Sequence, residues 1–129
     1  MKIDYAARAR ALVGVRFRPQ GRGPEGLDCV GVVLATFGIP LDEVRSDYAL
    51  RGEHLHELRE ALAGYFRKVP KRALNSGDVM LLQAGKEQPH LAVRTDQGFV
   101  HAHAGIRRVV ETPGVPEWPL LGVYRKRSR

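Results

Sequence analysis

The stretch Gly26-Leu27-Asp28-Cys29-Val30-Gly31-Val32-Val33 decides the fold, because the only cysteine of the chain lies in it between a turn-forming segment and an apolar run. Asp28 is a good helix N-cap, and apolar residues recur after it at helical spacing as far as Gly38. The sequence therefore predicts a short buried helix with Cys29 in its first turn. At that position the helix dipole favours the thiolate, which is the nucleophilic form of cysteine.

Two interpretations of Cys29 follow from the residues alone. Free cysteines are usually buried and behave as small apolar side chains. A nucleophilic cysteine needs a base and a group that orients the base, and His90 and His101 lie downstream on predicted strands. Position alone does not choose between the structural and the reactive interpretation.

Composition sets the class of protein. A length of 129 residues predicts one domain, residues 1–129, with a core that needs no disulfide. The hydrophobic content of 43% and the charged content of 27% are typical of a globular protein. One cysteine excludes an internal disulfide, and the scattered histidines lack the spacing of zinc ligands. We expect no metal site and no cofactor.

The net charge of +7 comes mostly from arginine and favours an anionic partner, such as nucleic acid, a membrane surface or a cell-wall polymer. An arginine-rich solvated surface is the alternative. Aromatic residues are few and no nucleic-acid-binding motif is present, so we do not expect nucleic acid as a partner. Residues 1–10 contain no apolar run, which predicts neither a secretory signal nor an anchor, and no later stretch is long enough to span a bilayer. The predicted location is the cytoplasm as synthesised, and the alternatives are association with a particle or release to the cell wall by lysis or by a signal-independent route.

Along the chain, helices come first and strands second. Residues 4–13 predict a first helix that ends at Gly14 and packs on the Cys29 helix, and Glu53–Phe66 predicts a second amphipathic helix. Val15–Gly26 is predicted to be a loop, and Leu41–Arg51 a mixture of loop and helical turn. The predicted strands are Val79–Leu82, Leu91–Val93, Gly98–Ala104, Ile106–Val110 and Leu120–Tyr124. This order predicts an α+β domain with an antiparallel sheet.

The turn between two of these strands leaves the pairing of the histidines open. If Asp96 and Gln97 are its two central residues, His90 pairs with His103 and is diagonal to His101 on the same face. A three-residue loop closing on Gly98 would reverse the parity.

The motifs resemble a known family in their order. Gly26–Val33 resembles the nucleophile motif of the NlpC-type cell-wall cysteine peptidases, a papain-like family with Asp-Cys-Ser-Gly-Leu/Val at the start of a helix. Gly77–Leu82, Pro89–Val93 and Phe99–Ala102 resemble the second half of the same domain. The resemblance implies a papain-like fold, in which N-terminal helices carrying the nucleophile pack on a C-terminal antiparallel sheet carrying the histidines. The missing signal points by analogy to phage-derived or tail-associated members.

The same resemblance implies the site. Cys29 is the nucleophile, His90 is the base, and His101 matches the pattern apolar-apolar-His-Ala of the residue that orients the base. His103 becomes a neighbour that lines the pocket, and Asp28 a helix cap that also faces the substrate. Phe17 occupies the position of a substrate-binding tyrosine, and Val30 replaces a common serine; these two departures put recognition of a free peptide amino terminus in doubt.

The implied reaction is acyl transfer. His90 takes the Cys29 proton, or holds the thiolate as an ion pair, and the sulfur attacks an amide carbonyl. The backbone N–H of Cys29 helps to stabilise the oxyanion, and water hydrolyses the acyl-enzyme. The implied substrate and partner is a peptidoglycan stem peptide. The alternatives are an amidase on the same fold, a phage tail or particle assembly component with a degenerate site, and a basic nucleic-acid-binding domain.

Overall fold

The computed structural model describes residues 3–18, 21–23, 26–40, 55–85 and 88–127. Its helices are α1 (Tyr5–Arg10), α2 (Cys29–Phe37) and α3 (Leu55–Tyr65), and a 3-10 turn spans Lys71–Ala73. Its strands are β1 (Arg22–Gly23), β2 (Gly26–Leu27), β3 (Phe66–Val69), β4 (Val79–Gly85), β5 (Gln88–Arg94), β6 (Gly98–His103), β7 (Arg108–Pro113) and β8 (Leu120–Lys126).

The centre of the molecule is a six-stranded antiparallel sheet in the order β3-β8-β4-β5-β6-β7, and β1 and β2 form a separate small hairpin. The α+β prediction is therefore confirmed. The strand β3 was not predicted, because Phe66 continues the apolar stripe of α3 and was assigned to that helix. Pairing of Phe66–Val69 with β8 ends the helix at Tyr65 and extends the sheet.

The two faces of the sheet carry different clusters. Leu91 and Val93 of β5 belong to the main core, which also contains the buried residues of α2 and α3. Ala92 and Phe99 lie in a smaller cluster with Trp118. Since side chains alternate along a strand, the small cluster occupies the face opposite the main core.

The ends of the first helix differ from the prediction. Asp4 caps α1 by accepting a hydrogen bond from the Ala7 N–H at 3.0 Å, but the helix ends at Arg10 rather than at Gly14. Residues 11–14 form tight turns, and the Gly14 N–H donates to the Val109 carbonyl at 2.9 Å. This bond to the sheet replaces the last helical turn. The predicted packing of α1 on α2 is confirmed.

The second predicted helix is confirmed as α3, with Leu58 and Leu62 on its buried face. The predictions for Leu41–Arg51, and for the start of the helix at Glu53, lie outside the described residues. Val15–Gly26 was predicted to be a loop, but the structure has a short hairpin there, formed by β1 and β2. No helix in the described part of the chain is both long and apolar enough to cross a membrane.

Two ion-pair groups fix the sheet. Arg125 on β8 donates from Nε and Nη2 to the two carboxylate oxygens of buried Asp78, each at 2.8 Å, directly before β4. At the other end, Arg10 of α1 bonds to Asp96 and to Glu111, and the Thr95 hydroxyl donates to Glu111 at 2.6 Å. The second group ties α1 to the turn that sets the β5–β6 pairing.

Candidate active site

Cys29 is the first residue of α2. The Asp28 carboxylate accepts a hydrogen bond from the Gly31 N–H at 2.7 Å, and Gly38 ends the helix in the left-handed conformation with φ 69°. The predicted N-cap and helix are thus confirmed. Cys29 is 3% exposed, so the thiol lies in a nearly closed position at the positive end of the helix.

Glycines bring the preceding loop close to this helix start. A Cβ atom on Gly31 would lie 2.6 Å from the Gly21 carbonyl oxygen, which is closer than any side chain allows. The same oxygen accepts a hydrogen bond from the Asp28 N–H at 3.1 Å. The Gly21 carbonyl therefore packs directly against the first turn of α2, and its hydrogen bond fixes the position of Asp28.

Phe17 lies beside the segment that leads into Cys29. It forms a parallel bridge with Leu27, and its N–H donates to the Arg107 carbonyl at 3.0 Å. Its half-buried ring packs against the main core. Phe17 thus joins the loop before Cys29 to the turn between β6 and β7.

The β5–β6 turn resolves the register. The Thr95 N–H donates to the Gly98 carbonyl at 2.9 Å, so Asp96 and Gln97 are the two turn residues. Val93 pairs with Val100, and by this parity His90, His101 and His103 share one face of the sheet. The β5–β6 ladder stops at that pair. The strands thus separate where they carry the histidines.

His90 and His101 are in direct contact. Nε2 of His90 lies 2.9 Å from Nδ1 of His101, and the two rings meet nearly at right angles. Nε2 of His101, which is 2% exposed, lies 3.2 Å from Oγ1 of Thr112 on β7. Of the two candidates for the group that orients His90, the structure brings His101 into hydrogen-bonding distance.

Trp118 covers this pair. Its ring packs edge-on against His90 at a centroid distance of 5.3 Å and against His101 at 5.8 Å. Trp118 was not predicted as part of the site, because it lies in the irregular segment between β7 and β8, outside every motif. The sequence feature that sets Trp118 apart is that it is the only tryptophan of the chain.

Burial makes both histidines poor proton acceptors from water. Desolvation, followed by repulsion from His101 and His103, lowers the pKa of His90 to about 3. Desolvation, with a smaller effect of His103, lowers the pKa of His101 to about 4. Near neutral pH both rings are therefore neutral, and each can hold its single proton on either nitrogen.

His103 is a neighbour of the pair rather than a member of it. Its ring lies 5.5 Å from that of His101, and its Nδ1 accepts a hydrogen bond from the Ile106 N–H at 3.2 Å. His103 thus closes the turn between β6 and β7. Its predicted role in lining the pocket stays a prediction.

The structure places Cys29 and the histidines on elements that touch, since α2 packs against β5 and β6. On the side of His90 that faces its sheet partner, Nε2 is engaged with His101. The described residues contain no cluster of three His, Cys, Asp or Glu side chains that could hold a metal ion.

No protein-family model matches the chain. Among solved structures, it superposes on NlpC2 from Trichomonas vaginalis with a TM-score of 0.70 and 13% identity, over 97% of this chain and 46% of that one. It also superposes on the peptidoglycan hydrolase RipB from Mycobacterium tuberculosis with a TM-score of 0.60 and 19% identity, over 95% of this chain and 62% of that one. The chain has the NlpC/p60 fold. The resemblance stated from the sequence is confirmed at this level; a phage origin is not shown.

Both catalytic and non-catalytic NlpC/p60 domains have this fold. RipD from Mycobacterium tuberculosis, described as a non-catalytic NlpC/p60 domain protein adapted to peptidoglycan binding, gives a TM-score of 0.57 at 14% identity over 95% of this chain and 94% of that one. Among curated proteins, the murein DD-endopeptidase MepS/murein LD-carboxypeptidase of Escherichia coli K12 is 26% identical over 106 residues, or 81% of this chain. The chain spans about half the length (51%) of that relative.

Proposed function

We propose that this NlpC/p60 chain hydrolyses an amide bond in the stem peptide of peptidoglycan through the Cys29 thiol. The observation that carries the proposal is the 2.9 Å contact between His90 and His101. It occupies Nε2 of His90 and leaves Nδ1 as the nitrogen that takes the thiol proton. Its support from similarity is the fold and the curated relative named as a murein endopeptidase.

The neutral state of His90 fits the role of a general base. Because burial lowers the pKa of His90 to about 3, the ring is unprotonated at pH 7 and can accept the Cys29 proton, either during the attack or earlier to form an ion pair with the thiolate. Catalytic hydrogen bonds are commonly looser in the absence of substrate and tighten when it binds.

The proposed position of the cleaved bond rests on Phe17, which the family resemblance predicts to bind substrate. Phe17 offers an aromatic face without a hydroxyl donor, which favours contact with an apolar part of the peptide rather than with its free amino terminus. We therefore place the cleavage inside the stem peptide or its cross-link. The alternative within the same fold is an amidase, which would separate the whole peptide from the glycan.

The test is digestion of purified peptidoglycan with the fragments identified by mass spectrometry. The wild-type protein is compared with Cys29→Ala and His90→Gln, and His56→Gln on the exposed side of α3 is the matched control for a histidine change. Wild type and His56→Gln are expected to release the same peptide fragments. Cys29→Ala and His90→Gln are expected to release none.

The fragments separate the alternatives. New termini within the peptide indicate an endopeptidase or carboxypeptidase, and glycan strands stripped of whole peptides indicate an amidase. Sedimentation of every variant with peptidoglycan, without any fragment, would contradict hydrolysis and indicate a binding domain. No release and no binding would favour the assembly role; salt-sensitive DNA binding in that case would indicate the nucleic-acid alternative.

A further inference from the structure

The buried ring of His101 has a polar partner at each nitrogen. Nδ1 faces Nε2 of His90 at 2.9 Å, and Nε2 faces the hydroxyl of Thr112 at 3.2 Å. Thr112 pairs with Phe99 across β6 and β7, so it lies diagonal to His101 on the same face of the sheet. His90, His101 and Thr112 therefore form a continuous series of hydrogen-bonding contacts that can fix where each ring proton lies.

A neutral histidine carries one ring proton, so the contacts allow only two arrangements. In the first, His101 donates from Nε2 to Thr112 and accepts at Nδ1 from the Nε2–H of His90. The Nδ1 atom of His90 is then a bare acceptor. In the second, the Thr112 hydroxyl donates to Nε2 of His101, whose Nδ1–H donates to His90. His90 then carries its proton on Nδ1 and cannot accept another there while neutral.

We propose that Thr112 is a positioning residue that selects the first arrangement by accepting the Nε2–H of His101, and so keeps Nδ1 of His90 ready for the Cys29 proton. This inference rests on the proposed function for its purpose, but its physical content is the proton position in the resting protein. The arrangement also suits the imidazolium that His90 becomes after it takes the proton. Its Nε2–H then donates to Nδ1 of His101, and its Nδ1–H can donate to the sulfur or to the leaving group.

The direct test is the tautomer of each histidine, read from the long-range ¹H–¹⁵N imidazole spectrum of the free protein at pH 7.5. In wild type, we expect both His90 and His101 to carry the proton on Nε2. Thr112→Val keeps the shape of the side chain and removes the hydroxyl, so a substantial part of His101 should move to the Nδ1–H form. Thr112→Ser restores an acceptor and should restore the wild-type tautomer.

His103 is the other titratable group whose ring faces His101. Its own signals must therefore be assigned with a His103→Gln variant. Thr36→Val serves as a control for the loss of a buried threonine hydroxyl, since Thr36 lies at 0% exposure near the end of α2 and has no hydrogen bond to either histidine among the described residues. The spectra of Thr36→Val should match wild type at His90 and His101.

Activity supplies a second and separable measurement. If the chain hydrolyses peptidoglycan, Thr112→Val should lower its rate about tenfold, the factor that corresponds to one lost hydrogen bond, and Thr112→Ser should recover most of it. A wild-type His101 with its proton on Nδ1, or a Thr112→Val spectrum identical to wild type, would overturn the proposal. The expected tautomers without any hydrolysis would support Thr112 as the ordering residue and contradict only the proposed function.

Discussion

Acidification should destabilise this protein through the pair formed by half-buried His90 and buried His101. The pKa values of His90 and His101 are lowered by burial to about 3 and about 4, whereas both return to about 6.5 in the unfolded chain. Between about pH 6.5 and pH 4, the unfolded state therefore binds protons at these two rings and the folded state does not. The stability contributed by the neutral pair is fully present above pH 6.5 and is lost as the pH falls towards the folded pKa values.

The size of the effect follows from the two pKa values. Between pH 7 and pH 5, each histidine with such folded and unfolded pKa values lowers the free energy of unfolding by about 1.9 kcal/mol. The pair then costs about 4 kcal/mol, which is a large part of the typical 5–15 kcal/mol of a domain. Carboxylates contribute little in this window because their unfolded pKa values lie near 4.

The assay is urea unfolding followed by circular dichroism at pH 7, 6 and 5. The variant His90→Gln/His101→Asn should lose most of the pH dependence, whatever its absolute stability, and the exposed-histidine control His56→Gln should keep the wild-type slope. An equal slope in wild type and in the double variant would refute the assignment of two buried neutral histidines. A slope of the opposite sign in wild type would refute it as well.

Three further changes test the surroundings of the site. Trp118→Leu should expose His90 and raise its pKa towards 6.5, measured by NMR titration, and Trp118→Phe should raise it less because a ring remains. Asp28→Ala should lower the free energy of unfolding by about 1–2 kcal/mol in urea, whereas Asp28→Asn should change it by only a few tenths, because asparagine also caps helices. Thr36→Val should raise it by about 1 kcal/mol, since the buried Thr36 hydroxyl has no hydrogen-bond partner within the described ranges; a loss of stability would contradict that reasoning.

Local signals explain why much of the fold was predictable. Asp28 and Gly38 bound α2 in the sequence as they do in the structure, because capping and a left-handed glycine act within one turn of helix. The strands β4 to β8 carry apolar runs between turn residues, which the sequence displays directly. The order of the cysteine and the histidines also pointed to the fold before any coordinates.

Tertiary contacts explain what the sequence did not provide. The strand β3 exists because Phe66–Val69 pairs with β8, a partner far along the chain. The choice between two turn geometries depended on Thr95 and on its link through Glu111 to α1, none of which is local to the histidines. Thr112 and Trp118 became part of the site only when β7 and the segment before β8 were placed beside His101.

The most direct test of the central claim is the rate at which iodoacetamide alkylates Cys29 at pH 7, followed by intact mass in wild type, His90→Gln and the control His56→Gln. The account predicts that wild type and His56→Gln react alike and that His90→Gln reacts about tenfold more slowly, because the base that removes the thiol proton is gone. Equal rates in all three proteins, or no alkylation of the folded wild-type protein, would contradict the claim that His90 activates Cys29.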